Sequence, residues 1–333
     1  QLCYLFGGTG RLEPYVVTYL RGVSPVPVLT ALMMVGMFVI RLDGSPKYAM
    51  MCNVLSSLLN IALDWYFVFP LHMGIFGAAI ATSISEAVAV IGTLFYMAFL
   101  SRNVHWYKPK FTSTSIRLTL RNVWYMTKLG MSAFIGETAI VCMLIVGNFV
   151  FIKYLHEDGV AAYSVACYLF PLVFMFGNSI AQSSLPIVSY NYGRKNEERI
   201  RKAFRLTVGL AVVLGLLITV FCLMESDTLI SLFLDEGTVA YQIGCKGFPY
   251  FTLGFLFFTL NVVFIGFYQS IELAKRATLW MLLRGIIFVI PSFILLPMML
   301  GDKGLWLAVP LSEMLTFVVI LLSLVRDRVK TSK

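Results

Sequence analysis

The chain has 333 residues, 59% of them hydrophobic and only 13% charged, with a formal net charge of +9. Water-soluble domains carry roughly 25% charged residues, so the composition excludes an ordinary soluble fold. The apolar residues come in blocks of about 20 or more rather than as short alternating strands, which excludes a transmembrane β-barrel and predicts an all-α, polytopic membrane protein.

In chain order the predicted spans are A 17–41, B 48–70, C 75–100, D 127–152, E 160–190, F 203–224, G 246–268, H 277–299 and I 303–325, nine in all. Their connections alternate between two faces. One face, made of 42–47, 101–126, 191–202, 269–276 and 326–333, carries 17 Lys/Arg against 5 Asp/Glu, and the other carries 2 against 8. Basic loops collect on the cytoplasmic side, so the C-terminus is expected inside a plasma (cytoplasmic) membrane and the first residue outside. The same asymmetry accounts for the positive charge without nucleic acid.

Four acids fall inside predicted helices: Asp64, Glu86, Glu137 and Glu313. A carboxylate at the bilayer centre costs about 2.5–3.5 kcal/mol even on the lenient insertion scale, so each is expected to face protein or water. On B, Asn60 precedes Asp64 by one helical turn and offers an amide oxygen on the same face, a donor set suited to a hard cation. Glu86 on C and Glu313 on I each follow a serine. They are read either as paired groups in a cleft or as a polar pin present in both halves. On D, Glu137 lies about ten residues in, and Asn148 sits near the outer end.

On E, Asn178 and Gln182 stand one turn apart; with Asn148 they line a cleft or serve as interhelical glue. Met33, Met34, Met37, Phe255, Phe257 and Phe258 suit an adaptable apolar cavity, although most such side chains in a membrane protein face lipid or core. Arg284 on H is the clear intramembrane base, with no partner nameable from sequence. His72, His105 and His156 are isolated and loop-located. The six cysteines show no metal-type spacing and read as packing residues. No metal site, cofactor or catalytic motif is expected.

The chain also repeats itself. Gly74-Ile-Phe-Gly77-Ala-Ala-Ile-Ala81-Thr-Ser-Ile-Ser85-Glu86 recurs as Gly301-Asp-Lys-Gly304-Leu-Trp-Leu-Ala308-Val-Pro-Leu-Ser312-Glu313, 227 positions on, and Pro70 and Pro297 share that offset. Helices A–C therefore correspond to G–I in the same membrane orientation, a parallel repeat. D–F have no counterpart in the chain. The expectation is an N-terminally truncated protein whose complete form has twelve helices in two six-helix lobes and about 450 residues. On this division, 1–103 holds the last three helices of the N-lobe, 104–126 is a basic cytoplasmic inter-lobe loop, 127–325 is the six-helix C-lobe and 326–333 is a cytoplasmic tail.

Asn60-Ile-Ala-Leu-Asp64 followed by Gly74-Ile-Phe-Gly-Ala-Ala-Ile-Ala-Thr-Ser-Ile-Ser85 resembles the fifth and sixth helices of the multidrug and toxic compound extrusion (MATE) family, and Gln182-Ser-Ser-Leu-Pro186-Ile-Val-Ser-Tyr-Asn191-Tyr-Gly193 resembles its eighth-helix exit. The resemblance implies a secondary antiporter that exports amphiphilic, often cationic, compounds or drugs in exchange for Na+ or H+ through two lobes that alternate access. It implies that Asp64, Asn60 and Thr82 belong to a cation-binding and coupling site. Glu137 resembles a seventh-helix acid used for coupling or for cationic substrates. Helix G carries no acid, which argues against a tenth-helix ion site. A lipid-linked oligosaccharide flippase of the same superfamily is the alternative. Such a flippase favours several cations in the cleft, whereas the helices hold four acids and one clearly intramembrane arginine. An integral membrane enzyme ranks third. A monomer working on small molecules in the lipid bilayer is expected.

Overall fold

The computed structural model describes residues 13–103, 107 and 111–331. Every regular element among them is helical. The chain divides into two compact units, Gln1–Phe111 and Thr112–Lys333.

The first unit contains α1 (Glu13–Val23), α2 (Val26–Leu42), α3 (Pro46–Val68) and α4 (Gly74–Phe95), the last extended by a π-helical turn, Tyr96–Leu100. Prolines stand in the first turns of α2 and α3, where the missing N–H is no loss. Helix α3 packs on α4, and α4 on α1 and α2. Met33, Met37, Ile40, Ala49, Ala89, Val90 and Tyr96 form a small core. Met50, Leu55, Leu58, Ile61 and Trp65 on α3 are all more than half exposed; exposed apolar faces of this kind meet lipid.

The second unit contains α5 (Ser113–Gly193), α6 (Glu197–Met224), α7 (Ser226–Ser231), α8 (Val239–Thr252), α9 (Phe255–Ser270), α10 (Ala274–Leu282), a π-helical turn at Leu283–Ile287, α11 (Val289–Leu300) and α12 (Asp302–Thr331). Thr112, Asn196 and Thr238 cap α5, α6 and α8 by accepting from backbone N–H groups three residues on, which satisfies donors that a helix start leaves free. The core is aromatic: Tyr163 stacks on Phe151 at 4.3 Å, and Phe251, Phe293 and Trp306 meet it edge-on.

Several sequence expectations shift. Residues 113–126, read as part of a basic loop, are helical because Thr112 caps a run free of Gly and Pro. His156 (φ 54°, ψ −154°) interrupts α5. There the chain folds back, since the Tyr163 hydroxyl donates to the Met143 carbonyl at 3.4 Å. Helix G begins earlier than expected and is bent by 43° between α8 and α9. By length and apolarity seven elements among the described residues qualify as spans, or eight with that bent pair as one. The expected nine is not reached on this basis, because the folded-back Ser113–Gly193 segment enters only once. His72 lies between α3 and α4 at φ 50°, whereas His105 lies outside the described residues.

The repeat marks the backbone. Gly74 and Gly301 both have positive φ, 54° and 59°, a region that glycine enters without steric cost. Three residues on, Gly77 lies against Phe67 and Gly304 against the carbonyl of Leu296, so each second helix turns tightly into the third where a Cβ would collide. Ser85 donates to the Thr82 carbonyl and Ser312 to the Val309 carbonyl, each at 2.9 Å. Helix α12 packs on α11 as α4 packs on α3.

Candidate functional site

In the first unit, Asn60 and Asp64 lie on α3, one turn apart and half-buried. The Asn60 Nδ2 and Asp64 Oδ1 atoms are shut off from solvent, and neither has a hydrogen-bond partner. Thr82 sits on α4, and its hydroxyl donates to the Ala78 carbonyl at 3.0 Å. No hydrogen bond joins Asp64 to Asn60 or Thr82. One turn beyond Thr82, Glu86 has the Thr30 side chain of α2 beside it, while its Oε2 is buried without a partner. Three polar side chains on two packed helices therefore carry unsatisfied, desolvated atoms. An unpaired carboxylate in such surroundings is costly, and a cation or a proton supplied there relieves that cost.

Glu313 in the second unit is treated differently. Arg284 Nε donates to its Oε1 at 2.6 Å, and Asn261 Nδ2 donates both to its Oε2 at 2.8 Å and to its backbone carbonyl at 2.9 Å. All three residues are buried. The Arg284 guanidinium lies 4.1 Å above the Phe258 ring, a cation–π contact. The π-helical turn at Leu283–Ile287 carries Arg284, and π turns of this kind re-aim a side chain at little cost to the helix. A small cavity of about 20 Å³ beside Arg284 and Glu313 has room for roughly one water.

The remaining predicted residues are scattered along α5. Glu137 and Asn148 are exposed, Asn178 and Gln182 are half-buried, and Gln182 Oε1 is buried without a partner. Met33 and Met37 are core and Met34 is exposed; Phe255 and Phe258 are fully buried, and Phe257 rests against Phe317 at 5.7 Å. Cys52, Cys142, Cys167, Cys222 and Cys245 are free thiols. Among the described residues no three His, Cys, Asp or Glu side chains gather as a metal site.

Two groups escaped the sequence reading. Asn261 is the one amide in the middle of an apolar helix, Phe255–Ser270, whose other amide, Gln269, stands at its end, and that isolation was its signal. Asp43, after α2, accepts from Tyr96 Oη at 2.8 Å, Ser101 Oγ at 3.2 Å, the backbone N–H groups of Arg102 and Asn103 at 3.0 and 2.9 Å, and Asn103 Nδ2 at 3.0 Å. These donors, the Arg102 N–H first, outweigh burial and hold its carboxyl well below the usual carboxylate range. Asp43 thus ties the α2–α3 turn to the end of α4.

Comparison with known proteins agrees with this architecture. The MatE family's sequence model matches residues 133–294. The multidrug export protein MepA of Staphylococcus saprophyticus is 24% identical over 100% of this chain and 72% of its own length, and MepA of Staphylococcus aureus is 23% identical over 98% and 71%. Among solved structures, a multidrug resistance MATE family transporter in an outward-facing conformation superposes with a TM-score of 0.87 at 20% identity, covering 98% of this chain and 73% of that one. A MOP superfamily transporter from Pyrococcus furiosus gives 0.87 at 19% identity, covering 99% and 73%. With membrane-spanning helices, that fold and relatives aligned along its whole length, the chain is similar to the multi-pass membrane transporters of the MATE family.

Proposed function

We propose that this protein exports amphiphilic, often cationic, organic compounds in exchange for Na+ or H+, and that Asp64 is the coupling carboxylate, with Asn60 and Thr82 completing its cation site. The observation that carries this reading is the desolvated, unpartnered Asp64 Oδ1 on α3. An exchanger must bind its ion better in one conformation than in the other. A carboxylate without a fixed partner is free to respond in that way. Glu86, unsatisfied on the neighbouring helix, is a second acid available to the same ion or to a cationic substrate. The naming of relatives as multidrug export proteins supports the substrate class.

Residues 1–103 and 127–325 are assigned to the two lobes, 104–126 to the link between them and 326–333 to a cytoplasmic tail. Glu137, Asn148, Asn178 and Gln182 are assigned to the substrate path of the second lobe. The basic loops favour a plasma membrane location with the C-terminus inside, and the working unit is taken as a monomer. A flippase for anionic lipid-linked sugars has less support, because Arg284 is already engaged by Glu313.

Efflux of a cationic dye under separately imposed Na+ and H+ gradients tests the proposal. Asp64→Asn keeps the shape and removes the charge. Losing about 3 kcal/mol of differential ion binding weakens coupling roughly 100-fold. Wild-type efflux with unchanged ion dependence in a well-expressed Asp64→Asn variant would reduce Asp64 to a structural pin.

A further inference from the structure

The second unit holds a cavity of about 430 Å³ that shares no lining residue with the one beside the Arg284–Glu313 pair, within the size range of small-ligand sites. It opens where helices end: α8 begins at Val239, α12 begins at Asp302, and Leu155 is next to the break at His156. Its walls divide by chemistry. Leu155, Tyr250 and Trp306 form an apolar and aromatic side, and Lys246, Lys303 and Asp302 bring two positive charges and one negative. Trp306 is almost wholly buried, its ring lying on the backbone of Gly247, where any Cβ would displace it. Lys303 Nζ stands 5.8 Å from the Tyr250 ring. The first turns of α8 and α12 add the positive ends of helices of 14 and 30 residues.

We propose that this cavity is a lipid site that takes a zwitterionic glycerophospholipid with a primary-amine headgroup. Lys246 and Lys303 receive the phosphate, Asp302 receives the ammonium, and an acyl chain runs along Leu155 and the aromatic wall. Lysine acts as a point charge for phosphate, and Trp, Tyr and Lys are the side chains that sit where hydrocarbon gives way to headgroups. An anionic headgroup without an amine leaves the Asp302 carboxylate without an ammonium to pair with. A choline headgroup has no N–H to donate to that carboxylate. The site is separate from the coupling carboxylate proposed on α3, and its test does not depend on transport.

The test is native mass spectrometry of the purified protein titrated with phosphatidylethanolamine, phosphatidylglycerol and phosphatidylcholine of matched chains, and with glycerophosphoethanolamine, which is the headgroup alone. Phosphatidylethanolamine is expected to be retained about tenfold more tightly than the other two lipids. The headgroup alone is expected to bind at least as weakly as they do, because the apolar wall then contributes nothing. Lys246→Gln/Lys303→Gln should remove the retention, and Asp302→Asn should abolish only the preference for ethanolamine over glycerol. Equal retention of all three lipids overturns the proposal, as does wild-type retention in the double lysine variant. Tight binding of the headgroup alone replaces the lipid with a soluble phosphoamine and overturns it too. If the double variant is not monodisperse, Asp302→Asn decides: an unchanged lipid preference overturns the assignment.

Discussion

Glu86 and Glu313 occupy the same place in two copies of one motif, 227 positions apart, each after a serine that bonds its own helix in the same way. Their surroundings have diverged. Glu313 is saturated by Arg284 and Asn261 and sealed from solvent. Glu86 has Thr30 on one side and an unsatisfied oxygen on the other, and Ser56 on the preceding helix reaches only the Ser85 carbonyl, at 2.7 Å. One repeat thus closes its acid with an internal cation, and the other leaves an oxygen of each of its acids, Glu86 and Asp64, without a partner. A duplicated acid does not carry a duplicated role when its counter-charge is present in only one copy.

The comparison breaks most readily at Arg284. Arg284→Met strands a buried carboxylate and should cost about 3–5 kcal/mol, read as a large fall in the thermal unfolding midpoint in detergent. Arg284→Met/Glu313→Leu should recover most of that loss, since an apolar pair can replace a buried ion pair. A double variant no better than the single would mean that the pair is more than a neutralised plug.

Asn261→Leu removes two donors to Glu313 and should cost about 1–3 kcal/mol, while ion-dependent efflux is kept. Loss of ion dependence at normal stability would bring the second unit into coupling and contradict the contrast between the two acids.

Asp43 sharpens the picture within the first unit. Its folded carboxyl titrates below the unfolded value of about 3.9. The stability it contributes is therefore present above that pH and is lost as pH falls toward the depressed folded value. Asp43→Asn should lower the midpoint at neutral pH and flatten the acid limb of its pH dependence. An acid limb identical to wild type would show that the five donors do not favour the anion.

The smallest effect is expected at Glu86→Gln. Its carboxyl lacks a full set of partners, so the change should move stability by less than about 1 kcal/mol while altering the ion or substrate dependence of efflux. A fall as large as that of Arg284→Met would place Glu86 in a saturated structural role like that of Glu313.

Much of the architecture was legible from the chain alone because a bilayer leaves few solutions. Backbone polar groups in hydrocarbon must be satisfied within a helix, so apolar runs could be read as spans, and the Gly74 and Gly301 motifs marked the repeat before their shared backbone conformation was visible. The acids on α3, α4 and α12 stood out because charge is rare in such segments. Whether each acid was free or paired depended on other helices. Sequence spacing shows neighbours along one helix, not the residue that a π turn in α10–α11 aims at α12 or the amide that α9 brings to the same carboxylate. The fold-back at His156, by contrast, was legible: the charged stretch 153–159 separates spans D and E, and the non-helical residue falls within it. Composition and periodicity determined that the chain crosses the membrane and where its acids lie. The meeting of side chains from separate helices decided which of those acids remain unneutralised.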